Sequence, residues 1–191
     1  LKVKPDYADA NYNLSLLYLL RGNLDEGFKC HEWRLKIKKR TAAPARINLI
    51  WDGEQSLSGK HFVVYEEQGL GDIIQFCRYL PVLEQKGADV TFKVKSNLHA
   101  LLQTMDSKTS LNTSLPEENK IDFESPLMSL PLALKTTVET IPAQIPYLYA
   151  DDQRKKRWNE KLGNKTVTRI GLVWSGSTWH KNDHNRSLLL N

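Results

Sequence analysis

A chain of 191 residues with 40% hydrophobic and 26% charged content is long enough to bury a core and has the composition of a soluble globular protein. No apolar run reaches the length of a membrane span, and the polar, basic N-terminus lacks a secretory signal pattern. The net charge of +5 is spread over clusters such as Lys36, Lys38, Lys39, Arg40 and Arg154, Lys155, Lys156, Arg157, without interleaved aromatics or a nucleic-acid module. These clusters read as solvated helix ends, and nucleic acid is excluded as a partner. Cys30 and Cys77 are far apart and read as free thiols of a reducing cytoplasm. The chain opens on Leu1 instead of Met, which leaves a targeting segment upstream of it open.

Residues 1–40 read as a helical hairpin. Pro5-Asp6 starts a helix in which Leu14, Leu17 and Tyr18 recur at helical spacing, and Arg21-Gly22-Asn23 breaks it. Asp25-Glu26 opens a second helix through Phe28, Trp33 and Leu35. The spacing resembles one tetratricopeptide repeat, with Leu14, Tyr18 and Gly27 at its large, large and small positions. Asn11 departs from a bulky position and Arg34 from a small one, as suits a terminal repeat docked on something else. A single repeat cannot bury its own face. It therefore ends an array, packs on the next domain, offers a groove to a peptide or pairs with a second copy. A generic helical hairpin is the plainer alternative.

Residues 41–60 form a connector with Pro44, a turn at Ser56-Leu57-Ser58-Gly59, and Trp51-Asp52-Gly53 tucked against a domain surface. From residue 61 to 150 the pattern is βαβα: strands at 61–66, 89–94 and 122–124, with helices at 72–86, 97–105 and 126–134. That alternation predicts a Rossmann-like parallel sheet. Residues 151–191 supply a helix at 151–162 and a strand at 169–174, the start of a second Rossmann-like domain.

Three places carry candidate chemistry. At Gln68-Gly69-Leu70-Gly71-Asp72 the glycines allow a tight turn and close approach to a ligand, and Asp72 stands at a helix start. Asp72 is either a catalytic acid or base, or a cap for the helix at Ile73. A dinucleotide fingerprint would need a glycine near Ile74, which argues against an ordinary cofactor-binding Rossmann enzyme. Arg78 and Tyr79 take structural roles. The polar run from Ser175 and Gly176 through Ser177, Lys181, Asn182 and Arg186 offers backbone N–H groups and cations to a phosphate. His180, Asp183 and His184 lack a metal-ligand spacing, so no metal is expected. Pro126 to Pro131 form a rigid cap on the sheet, with Ser129 toward the cleft.

Taken in order, these motifs resemble bacterial proteins in which tetratricopeptide repeats precede a glycosyltransferase-like module. That module is similar to the heptosyltransferases of lipopolysaccharide assembly and, more distantly, to the protein O-linked N-acetylglucosamine transferases. The residues that carry the resemblance are Trp51-Asp52-Gly53, Glu67 to Asp72 with Gln75-Phe76 and Arg78-Tyr79, and Pro126 to Pro131. Ile141-Pro142-Ala143, Tyr147-Leu148 and Gly171 to Gly176 with Asn182-Asp183 and Arg186-Ser187 complete it, while Leu49 stands where a proline is usual.

The resemblance implies a GT-B architecture, in which the first Rossmann-like domain receives the acceptor and the second holds a nucleotide-sugar. It implies that Asp72 deprotonates the acceptor hydroxyl and that Lys181, Asn182 and Arg186 meet the donor phosphates. To these the residues themselves add Ser175 and Gly176 at the phosphates, Gly69, Gly71 and Ser129 as substrate contacts, and Gln68 as a substrate contact or a brace of the loop. The nucleotide-sugar is a co-substrate; no resident cofactor is implied. The acceptor is a glycan or a protein. A non-catalytic repeat scaffold is the alternative. The donor domain is largely missing from these residues, so the chain alone is predicted not to turn over a nucleotide-sugar. Product formation in an assay with common nucleotide-sugars would overturn that.

Overall fold

The computed structural model of the protein describes residues 4–37, 49–164, 166–176, 178 and 182–188. Lys38, Lys39, Arg40, Pro44, Ser177, His180 and Lys181, singled out above, lie outside the described residues. The chain divides into two compact units, Leu1–Asp151 and Asp152–Asn191. Among the described residues, no helix is long and apolar enough to cross a membrane.

A four-stranded parallel sheet makes the first unit α/β. Its strands β1 (His61–Tyr65), β2 (Asp89–Lys93), β3 (Ser110–Asn112) and β4 (Phe123–Pro126) lie in the order β3-β2-β1-β4, consistent with a Rossmann-like domain. Strand addition proceeds to one side of β1 and then returns to the other. The strand order thus reverses between β1 and β4, and open α/β sheets take ligands at the carboxyl ends of their strands at such a point. Phe62, Val63 and Val64 are all fully buried, because a central parallel strand is covered on both faces. The short polar β3 has no apolar pattern to announce it. It forms because Thr91 to Lys93 of β2 offer it a ladder. The outer edge of β4 is covered by the connector: Ile50 bridges Glu124, and the Trp51 N–H donates to the Glu124 carbonyl at 3.2 Å. The buried Trp51 ring meets Phe62 edge-on, with centroids 5.5 Å apart.

Prolines cut the helices into shorter pieces than periodicity alone predicts. In place of one helix over 72–86 there are α3 (Leu70–Phe76), a 3-10 turn (Cys77–Tyr79) and α4 (Leu80–Gln85). Pro81 has no N–H for the carbonyl four residues back, and its ring clashes there. α5 (His99–Leu102) follows a 3-10 turn (Ser96–Leu98). Likewise, a 3-10 turn (Leu127–Ser129) precedes α6 (Leu130–Ala133), whose first turn holds Pro131.

The N-terminal helices α1 (Ala8–Leu20) and α2 (Leu24–His31) pack together, and a 3-10 turn (Glu32–Lys36) follows. A Cβ on Gly27 would lie 2.6 Å from a Leu19 methyl, so the close approach of the two helices needs glycine there. The buried face of α1 is Asn11, Tyr12 and Ser15, whereas Leu17, expected inside, is 58% exposed. Apolar residues surround α1, so spacing alone does not select a face; contact with α2 does. Asn11 is buried because its amide donates to the Pro5 and Tyr7 carbonyls, at 2.7 and 3.1 Å.

In the second unit, α7 (Asp152–Leu162) is present, but the strand expected at 169–174 is not formed. Ile170, Leu172 and Val173 are all largely exposed. A strand needs a neighbour to take its backbone hydrogen bonds, and the described residues of this unit hold no second strand to pair with it. A second Rossmann-like sheet is therefore not present among them.

Gly53 combines a positive φ of +96° with a close contact: an added Cβ would sit 2.0 Å from the Ala133 carbonyl oxygen. Gly59, at φ +67°, has open space around it. Gly59→Ala is expected to cost about 1 kcal/mol of left-handed backbone strain, and Gly53→Ala roughly 2–4 kcal/mol, since overpacking adds to strain. Urea unfolding of both variants measures the difference.

Candidate functional site

The site is built where β1 ends. Glu66 and Glu67 follow the apolar strand directly, and both are buried. The Lys95 N–H donates to Glu66 Oε2 at 3.2 Å, and Lys93 Nζ lies 3.7 Å from Oε1. Gln68 then adopts a left-handed φ of 57°, a conformation that costs a non-glycine residue about 1–3 kcal/mol and persists only where neighbours enforce it. Gln68, Gly69 and Gly71 are exposed, and Asp72 is half-buried. The Gly69 N–H donates to Asp72 Oδ2 at 2.9 Å, so the carboxylate braces the turn that leads into α3.

The neighbouring residue Glu67 is held by Arg34, which reaches it from the 3-10 turn after α2. Arg34 Nε donates to Glu67 Oε1 at 3.1 Å, and Nη2 donates to Oε2 at 2.7 Å, a two-pronged pair. Nη2 also donates to Ser129 Oγ at 2.7 Å. Nη1 donates to the His31 carbonyl at 3.2 Å and to Glu32 Oε1 at 2.5 Å. Every N–H of the guanidinium is thereby used, which is what permits a side chain 2% exposed to stay charged. The remaining demand is met from the 3-10 turn after β4: the Met128 N–H donates to Glu67 Oε2 at 3.2 Å, and the Ser129 hydroxyl donates to Glu32 Oε2 at 2.9 Å.

Burial by itself would lower the Arg34 pKa. The Glu32 and Glu67 carboxylates outweigh it and leave the pKa raised, so the cation is secure at any physiological pH. Next to this group, burial first and then the Glu124 and Glu67 charges push the Tyr65 phenol upward, keeping it neutral. The cluster carries two carboxylates against one guanidinium; Glu32, partly exposed, shares the excess charge with solvent.

The predicted residues Gln68, Gly69, Gly71 and Asp72 thus share one exposed turn. Ser129 sits on the exit from the adjoining strand, but its hydroxyl is committed to Arg34 and Glu32. Arg78 and Tyr79 are structural. Arg78 donates to the Gln75 and Pro142 carbonyls and lies 4.2 Å from the Tyr147 ring centroid, while Tyr79 is in the core. Ser175, Gly176, Asn182 and Arg186 belong to the second unit. There the loop closes on itself: the Leu188 N–H donates to the Trp174 carbonyl at 2.8 Å, and the Gly176 N–H to Ser187 Oγ at 2.9 Å. A separate cavity of about 720 Å³ lies between α2 and residues 131–139, with Phe28, Leu132 and Val138 in its wall. None of Gln68, Gly69, Gly71, Asp72 or Ser129 lines it.

Sequence reasoning missed Arg34, Glu67 and Glu32 as parts of the site. Two signals pointed to them: a cation where a repeat wants a small residue, and two acids placed straight after a buried strand.

No family model matches the chain. The chain is similar to "Protein FlbA" of Caulobacter vibrioides, at 25% identity across 88% of this chain and 32% of that protein. The chain thus spans about a third of the length of that relative. No solved structure matches it.

Removing one member of a buried, hydrogen-bonded ion pair leaves the other charge stranded. Arg34→Met is expected to destabilise the protein by about 3–5 kcal/mol, and Arg34→Met with Glu67→Gln by less than Arg34→Met alone. Chemical denaturation of the single and double variants checks both the size and the order.

Proposed function

We propose that the chain supplies the acceptor side of a nucleotide-sugar-dependent glycosyl transfer, with Asp72 as the base. The observation that carries this reading is the state of Asp72. One oxygen, Oδ2, is braced by the Gly69 N–H at 2.9 Å, while the side chain remains half-exposed in an open turn at the carboxyl end of the central strand. Asp72 takes the proton of the acceptor hydroxyl as its oxygen bonds to the anomeric carbon. The bond from that carbon to the diphosphate breaks, and the nucleoside diphosphate leaves with the electron pair. The hydroxyl-rich, cationic loop from Ser175 to Arg186 is the candidate for meeting the departing phosphates. The order of motifs along the chain, including the tetratricopeptide-like hairpin and the GT-B-like first domain, supports the same reading.

A non-catalytic interaction module is the second reading, favoured by the exposure of Leu16, Leu17 and Leu20 along α1. A groove on that helical hairpin would then take a peptide.

Calorimetry with nucleoside diphosphates and nucleotide-sugars, on this chain and on a version extended through a second sheet domain, separates the two. Donor binding by the extended form alone is expected. In that form Asp72→Asn is expected to lower turnover by about 10²–10⁴-fold with donor affinity unchanged. Full turnover by Asp72→Asn would remove Asp72 from the chemistry. Absence of donor binding by both forms would leave the interaction module.

A further inference from the structure

We infer that Arg34 and Glu67 are positioning residues for the Asp72 turn, so that the pose of the N-terminal hairpin sets the geometry of the reactive carboxylate. The inference rests on the reading of Asp72 as a base, but its structural half can be tested without it.

The strand order reverses between β1 and β4, and such sheets bind ligands at the carboxyl ends of their strands at that point. Here the guanidinium of Arg34 enters from outside the sheet domain and binds both strand exits, Glu67 after β1 and Ser129 after β4. The path to Asp72 is short and made of stiff parts. Both oxygens of Glu67 are engaged, so its side chain has one orientation. Gln68 follows in a left-handed conformation, and the next N–H, that of Gly69, holds Asp72 Oδ2. One residue, Gln68, separates the held Glu67 from the peptide that braces Asp72, so a shift of the Glu67 backbone is passed to that peptide. A two-pronged pair tolerates little change in angle, so it transmits orientation where a lysine would supply only charge. A contact that merely glued the hairpin to the sheet would not need to run through the residue beside the reactive turn.

The test uses Arg34→Lys, which keeps the charge and loses the fork, and the milder Ser129→Ala, which removes one contact to Arg34. Amide hydrogen exchange is read by mass spectrometry over residues 69–75 and over β1 and β2, in parallel with kcat and KM in the extended protein. Arg34→Lys is expected to speed exchange at 69–75 by about tenfold or more while β1 and β2 keep their protection, with Ser129→Ala producing a smaller effect in the same place. Turnover should fall about tenfold or more in kcat with KM for the nucleotide-sugar within about twofold, since misplacing a reactive group is felt in the chemical step. Unchanged exchange at 69–75, or equal acceleration across the sheet, overturns the positioning role. A wild-type extended protein without turnover would sink the transferase reading alone; the exchange comparison would still decide the coupling.

Discussion

The buried pair between Arg34 and Glu67 is the constraint on which the arrangement of the first unit depends. A guanidinium this deep is tolerated only because each of its N–H groups has an acceptor, and those acceptors lie on three separate segments. The cost of stranding either charge makes the hairpin and the sheet adopt one mutual pose. α2 also lies beside α6, a proximity without the same angular demand.

That pair also occupies the point at which the strand order reverses. In an open α/β sheet the gap between diverging loops receives a nucleotide or cofactor. Here Arg34, Glu67 and Ser129 occupy that place, and the turn of Gln68, Gly69 and Asp72 follows Glu67 directly. Asp72 in that turn is half-buried and braced by the Gly69 N–H, which lies two residues from the turn's buried neighbour Glu67. Ser129, expected from the sequence to contact substrate, accepts a hydrogen bond from Arg34 and donates one to Glu32.

The second unit shows the same physics from the opposite side. Its apolar stretch at 169–174 has the composition of a buried strand yet remains exposed, since β-structure is a property of pairs and not of single segments. The loop after it nevertheless closes through Trp174, Gly176, Asp183 and Ser187. Those bonds run between residues near in sequence and need no sheet.

Features governed by local rules were legible in the sequence alone. The alternation of short apolar strands with helices, the glycine turn after β1, and the location of Asp72 at a helix start all follow from side-chain period and backbone dihedral limits. Pro81, which splits α3 from α4, was visible too, although its effect on helix length needs the chain's actual path. Tertiary structure decided what depended on distant partners. Arg34 meets Glu67 across 33 positions and Ser129 across 95, separations at which no local propensity acts. β3 exists because β2 lies beside it, and α1 buries Asn11 and Tyr12 because α2 covers that face. Residues 169–174, lacking a partner strand among the described residues of their unit, are not a strand at all.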